Sequence, residues 1–215
     1  MTTDMVSGSF SSVFARALRG HPCSVVGIAD LPQPLPVADW TRVADESDHL
    51  LLDECRGSTI DIGCGPGRLS ARLAELGHDV LGIDIVPEAV QQTRARGASA
   101  IVRDVYDTLP GEGRWESALL ADGNIGISGD PVGLLRRVRE LLDPRGRIVV
   151  EVAPPGSGLH TVWATLECAE TRSRPFRWSV VGADVIYEIA GEAGLAVTDV
   201  RRGHGRWCVV LGEPS

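Results

Sequence analysis

The chain contains no lysine. All 21 of its basic residues are arginine, which excludes a Schiff-base amine and the lysine of a phosphate-binding P-loop. A basic surface is missing too. With 29 acidic residues the net charge is −8 and the isoelectric point is near 5.1, so no nucleic-acid partner is expected, because neutralising phosphates needs a basic face. Arg136, Arg137 and Arg139 read as the solvated side of a helix. No apolar run reaches membrane-spanning length and no charged-then-apolar leader opens the chain, so the expectation is no membrane partner and a cytoplasmic location. The five cysteines (Cys23, Cys55, Cys64, Cys168, Cys208) are odd in number, scattered and without a C-x-x-C pair. Reduced thiols, no disulfide frame and no metal site follow as expectations.

What is present is ordinary in bulk and specific in one place. At 215 residues, 43% hydrophobic and 23% charged, the chain is read as one globular domain with an appended segment. The stretch Thr59 to Leu73, TIDIGCGPGRLSARL, organises it. Ile60 and Ile62 alternate with polar neighbours, glycines follow at 63, 65 and 67, and Leu69, Leu73 and Leu76 recur at helical spacing. This predicts a strand, a tight glycine turn and a helix. Glycine is needed there because a Cβ would block the turn and hold the backbone away from a ligand over the helix N-terminus.

A dinucleotide fingerprint would place its third glycine at position 68, which is Arg68. The spacing is instead G-x-G-x-G, preceded by Asp61. It resembles motif I of the class I S-adenosylmethionine-dependent methyltransferases, D-x-G-x-G-x-G. Asp84 closes the next apolar run, VLGID, where such folds place the carboxylate that takes the ribose hydroxyls. The resemblance implies an α/β, Rossmann-like, seven-stranded sheet, mostly parallel, with helices on both faces and an antiparallel last strand. It implies S-adenosylmethionine as cofactor, with S-adenosylhomocysteine as product. It assigns the cofactor to Asp61, Gly63, Cys64, Gly65, Gly67, Asp84, Ile85, Asp104, Val105, Asp122 and Asn124. Among these, Asp104 would bind the adenine amino group and Val105 would pack on the ring, the competing reading being that Asp104 only caps a turn. Asp122, Gly123 and Asn124, after the fourth strand, would stand beside the reacting methyl.

Along the chain, Phe10 to Leu18 shows a helical pattern behind a Ser9 cap, and prolines at 22, 32, 34 and 36 forbid helix over His21 to Asp39. Trp40 to Cys55 reads as helical. Residues 1–56 are taken as an N-terminal lid or packing arm, and 57–215 as the cofactor-binding domain. From Thr59, strand and helix patterns alternate. Residues 154–179 interrupt them with a predicted antiparallel hairpin carrying His160, Trp163, Phe176, Arg177 and Trp178, either core of the insertion or walls of a substrate pocket. The chain closes as a hairpin, LAVTDV and RWCVVLG.

The resemblance implies methyl transfer by in-line displacement, with a base needed for a hydroxyl acceptor. Candidate bases are His160, Asp122 and Glu151, with His49 and His204 behind them. The Asn-Pro-Pro-Tyr run of amino-group methyltransferases is absent, Ala121-Asp122-Gly123-Asn124 standing in its place. A small-molecule acceptor attacked through oxygen is therefore expected, with attack through nitrogen or carbon and a protein acceptor as the alternatives. A nicotinamide-dependent oxidoreductase and a non-catalytic S-adenosylmethionine-binding module are the alternatives. Oligomeric state is not legible.

Overall fold

The computed structural model describes residues 6–214. The N-terminal segment runs β1 (Val6–Gly8), α1 (Phe10–Leu18), β2 (Cys23–Val26), β3 (Gln33–Pro34), α2 (Val37–Thr41) and α3 (His49–Leu52). Ser9 caps α1, its hydroxyl accepting from the Ser12 N–H at 3.1 Å, and Val13, Ala17 and Leu18 on one face are buried. The single helix expected over Trp40 to Cys55 is corrected. Arg42 is extended after α2, and Asp45 starts a separate 3-10 turn, Glu46–Asp48, in a capping box with Asp48. The acids there serve as caps and ion-pair partners, so the helix breaks where they are used.

The central sheet is built from β4 (Thr59–Ile62), β5 (Val80–Asp84), β6 (Ser99–Val102), β7 (Trp115–Leu120), β8 (Leu142–Val152), β12 (Ala196–Gly203) and β13 (Arg206–Gly212). Its order is β12-β13-β8-β7-β4-β5-β6. Strands β4 to β8 pair in parallel, and β13 lies antiparallel to both β8 and β12. The seven-stranded architecture expected from the sequence is the one observed. Helices α4 (Arg68–Glu75), α5 (Pro87–Ala95), α6 (Pro131–Leu141) and α7 (Ile186–Glu192) supply the crossovers.

Alternation along the strands splits the core in two. Ala118, Leu120, Ile148 and Val150 pack under α6 and α7 with Leu134, Leu135 and Ile186. Leu119 and Val149 face the other way, onto Leu69 and Leu73 of α4 and Leu51 and Leu52 of α3. Each such fully buried aliphatic contributes about 1.5–3 kcal/mol. Strand β4 has β5 on one side and β7 on the other, so chain progression reverses there. In open α/β sheets, ligands bind outside the carboxyl ends of strands at such a point.

A second sheet joins the N-terminal segment to the insertion. Its order is β1-β10-β9-β2-β3, with β9 (Leu159–Cys168), β10 (Thr171–Ser173) and β11 (Phe176–Val181), the last also pairing with β9. The expected hairpin is present, but it is one half of a sheet whose other half lies far earlier in the chain, as in the pairing of Val25 with Leu166. In that pairing Cys23 stands directly opposite Cys168, and the two form a disulfide. The expectation of five reduced thiols is corrected, since register between strands 145 residues apart cannot be read from cysteine spacing. Cys55, Cys64 and Cys208 are free and buried. Among the described residues no helix is long and apolar enough to cross a membrane.

Candidate functional site

A cavity of about 520 Å³ opens at the carboxyl ends of β4, β5, β6 and β7 and continues under the second sheet. The glycine loop forms its floor. Gly63, Gly65 and Gly67 all have positive φ, at 71°, 54° and 86°, which only glycine adopts without strain. Their surroundings differ. A Cβ on Gly63 would meet the Asn124 amide at 2.7 Å, and one on Gly67 would meet Thr93 at 2.7 Å, whereas one on Gly65 would meet no protein atom within 4 Å. Gly65 lines the cavity and has open space over it. Gly67, assigned to the ligand from sequence, does not line the cavity and instead lets α4 start close against α5.

Side chains hold this loop in place. Asp84 accepts from the Gly65 N–H at 3.0 Å and the Val86 N–H at 2.8 Å, tying the loop to the end of β5. Thr93 donates to the Gly65 carbonyl at 2.8 Å. Asn124 donates to the carbonyls of Ile62 and Gly63 at 2.9 and 3.0 Å, locking the turn after β7 against the loop. Asp104 accepts from the Tyr106 N–H at 3.1 Å, so it caps a turn and also lines the cavity beside the buried Val105.

Asp61 lies buried under the loop, where its carboxylate accepts from Ser70 at 2.5 Å. Burial pushes its pKa up to about 6. Because this folded value exceeds the unfolded one, its ionisation lowers stability as pH rises from about 4 to 6 and changes little above that. Asp61→Asn is accordingly expected to stabilise the protein at pH 7 by about 1–3 kcal/mol, a gain that vanishes near pH 4. Urea unfolding at the two pH values measures it.

An ion network backs the cavity. Arg68, buried at the start of α4, donates to both carboxylate oxygens of Asp122 at 2.9 and 2.7 Å and to Asp48. Arg206 of β13 binds both oxygens of Glu151 at 2.7 and 2.8 Å and reaches Asp48 at 2.8 Å. Arg42 donates to the other Asp48 oxygen at 2.7 Å. Burial alone would raise the Asp48 carboxyl, but hydrogen bonds from Arg42, Arg68 and Arg206 outweigh it and hold the group far below the usual carboxylate range. Burial raises Asp122, although its arginines oppose this.

These contacts decide among the candidate bases. Asp122 lines the cavity but is bound by Arg68. Glu151 is held by Arg206, accepts from the Asp122 N–H at 2.7 Å and does not line the cavity. His160 sits exposed on β9 opposite Val180 and outside the cavity, because entering the insertion does not by itself turn a side chain inward. His49 pairs with Asp53 at 3.0 Å, and His204 forms the β12–β13 turn with φ 51°. From the insertion, Phe176 and Trp178 line the cavity while Trp163 is 67% exposed. Sequence reasoning missed Asp48, Arg206 and the role of Arg68. The only signal was an arginine directly behind the glycine loop.

Residues 60–146 match a family described as a methyltransferase domain. A solved S-adenosylmethionine-dependent methyltransferase from Bacteroides fragilis, in complex with S-adenosylhomocysteine, shares the fold with a TM-score of 0.79 at 18% identity, over 95% of this chain and 94% of that one. Residues 60–146 thus match a methyltransferase domain, and the chain has the fold of a solved S-adenosylmethionine-dependent methyltransferase. A 1,6-didemethyltoxoflavin-N1-methyltransferase from Burkholderia thailandensis superposes on this domain with a TM-score of 0.61 at 20% identity, over 82% of this chain and 81% of that one. A curated ubiquinone biosynthesis O-methyltransferase from Xanthomonas oryzae pv. oryzae is 32% identical over 128 residues, 56% of this chain and 52% of its own length. The protein of the same description from Cereibacter sphaeroides is 30% identical over 153 residues, 67% and 62% of the two chains. The chain thus spans about half to three fifths of the length of these curated relatives.

Proposed function

We propose that this chain transfers a methyl group from S-adenosylmethionine to an oxygen of a small-molecule acceptor. The observation that carries the reading is the protein-free space over Gly65, which is continuous with an aromatic chamber under the second sheet. One cavity thereby offers a donor end and an acceptor end. The donor end fits the group: Asp84 stands at the end of β5 for the ribose hydroxyls, Asp104 and Val105 at the end of β6 for the adenine, and Asp122 with Asn124 after β7 for the methionine portion. The ubiquinone-pathway relatives are named as O-methyltransferases, which favours oxygen as the acceptor atom.

When bound, S-adenosylmethionine supplies a methyl already activated by its sulfonium. This chain's residues then have to bind, align and dry the reactants, and holding two reactants aligned is worth roughly 7–11 kcal/mol of a barrier. The glycine loop fixes the donor, while Phe10, Phe14, Trp40, Phe176 and Trp178 exclude water from the acceptor. The position where a dinucleotide fingerprint needs its third glycine is Arg68, whose side chain is committed to Asp48 and Asp122, which counts against a nicotinamide cofactor.

Incubation with methyl-labelled S-adenosylmethionine and a panel of small hydroxyl compounds tests the reading. Labelled product from at least one member is expected. Cofactor binding without turnover of any acceptor would instead mark a binding module. Asp84→Ala is expected to weaken S-adenosylmethionine binding by about 1.5–3 kcal/mol, as for hydrogen bonds to charged groups. Unchanged affinity in a folded variant would remove Asp84 from the site.

A further inference from the structure

The chamber's walls say what kind of hydroxyl enters. Only 5% of the chain is aromatic, yet all three of its phenylalanines line this cavity, together with Trp40 and Trp178. They form a continuous run. Trp40 meets Phe14 at 5.5 Å between ring centroids, Phe14 stacks on Phe10 at 5.4 Å, Phe10 meets Phe176 edge-on at 4.9 Å, and Phe176 meets Trp178 at 6.4 Å. Concentrated ring faces of this kind select a planar aromatic ligand.

The titratable groups say in which form it reacts. Among the described residues no histidine lines the cavity. Asp61 lies under the loop with Ser70, Asp84 accepts two backbone N–H groups, Asp104 caps its turn, and Asp122 is bound by Arg68. The Cys64 thiol is buried and pushed well up. The Tyr106 hydroxyl meets Ser128 at 2.9 Å and is raised by burial, so it stays neutral. Arg68, Arg103 and Arg177 cannot take a proton. From α1, β2, α2 and β9 only apolar side chains reach the cavity, among them Phe10, Val25, Trp40 and Leu166.

We propose that the acceptor is a planar aromatic hydroxyl compound, a phenol-type weak acid, that reacts as its oxyanion after losing its proton to water rather than to a side chain. This rests on the methyl-transfer reading above. The oxyanion lone pair forms the O–CH3 bond while the S–CH3 bond breaks and its electron pair stays on sulfur. The two charges cancel, and no proton moves in the step. Burying an oxyanion against apolar walls is unfavourable unless a cation accompanies it. Arg68 is occupied by carboxylates, so the donor's sulfonium supplies the counter-charge together with Arg103 and Arg177, which also line the cavity.

The test uses 4-nitrophenol, whose anion absorbs at longer wavelength than its neutral form. It is titrated against the full chain holding either S-adenosylhomocysteine or a donor analogue with an ammonium in place of the methyl sulfonium. An at least tenfold rise in the acidity of bound nitrophenol with the cationic analogue is expected. In turnover, the pH at which the rate levels off should follow the pKa of each member of a para-substituted phenol series, and cyclohexanol and aniline should not be methylated. Equal acidity with the two analogues, a common inflection for every phenol, or methylation of cyclohexanol or aniline would each overturn the proposal. Cofactor binding is measured separately by calorimetry. A protein that binds S-adenosylmethionine but no phenol refutes this inference alone, and one that binds no S-adenosylmethionine refutes the reading beneath it.

Discussion

Gly65→Val is expected to abolish S-adenosylmethionine binding while leaving the far-ultraviolet circular dichroism of the chain unchanged. Two effects act together at this position. The backbone has φ 54°, where a β-branched residue is strained by about 1–2 kcal/mol. The new side chain would also project into space that no protein atom occupies within 4 Å, so it obstructs the ligand and not the fold. The same substitution at Gly63 or Gly67 is less informative, since there a side chain collides with Asn124 or Thr93 and unfolding competes with loss of binding. Retained affinity in Gly65→Val, measured by calorimetry, would mean that the loop only joins strand to helix.

The second large effect is on stability. Asp48 is fully buried and bonded to Arg42, Arg68 and Arg206. Asp48→Asn keeps the volume but leaves these arginines short of a counter-charge. Breaking one side of a buried ion pair costs about 3–5 kcal/mol, a fall in melting temperature on the order of 10 °C for a chain of this size. The pH dependence identifies the cause. Its folded carboxyl lies far below the unfolded value, so its contribution is complete above about pH 5 and is lost as pH falls below about 4. The gap between wild type and variant should therefore close in acid, as the Asp61 gap does, but here the wild type is the more stable partner at neutral pH. A gap that persists unchanged at pH 3 would assign the loss to packing.

What was legible in the sequence was what neighbours in sequence decide. The alternation of strands and helices from Thr59 onward, the glycine turn and the closing hairpin each depend on patterns within a dozen residues, and the sheet follows them. The cavity floor was legible for the same reason, since Asp61, Gly63 and Gly65, which line it, lie within five residues. The back of the cavity was not. Asp48 and Arg206 are 158 residues apart, and Cys23 and Cys168 are 145 apart, so only the folded sheets bring them together. His160 illustrates the converse error. A titratable residue entering an insertion looked placed for catalysis, but its strand turns it to solvent, and the acids chosen with it, Asp122 and Glu151, turned out to be the partners of arginines.

The central claim is that the glycine loop and Asp84 form a site for S-adenosylmethionine, and calorimetric titration of the full chain tests it most directly. S-adenosylmethionine and S-adenosylhomocysteine are each expected to bind at one site with micromolar affinity, on the order of −8 kcal/mol, and NAD(H) is expected not to bind. Binding of NAD(H) with neither of the other two would contradict the account.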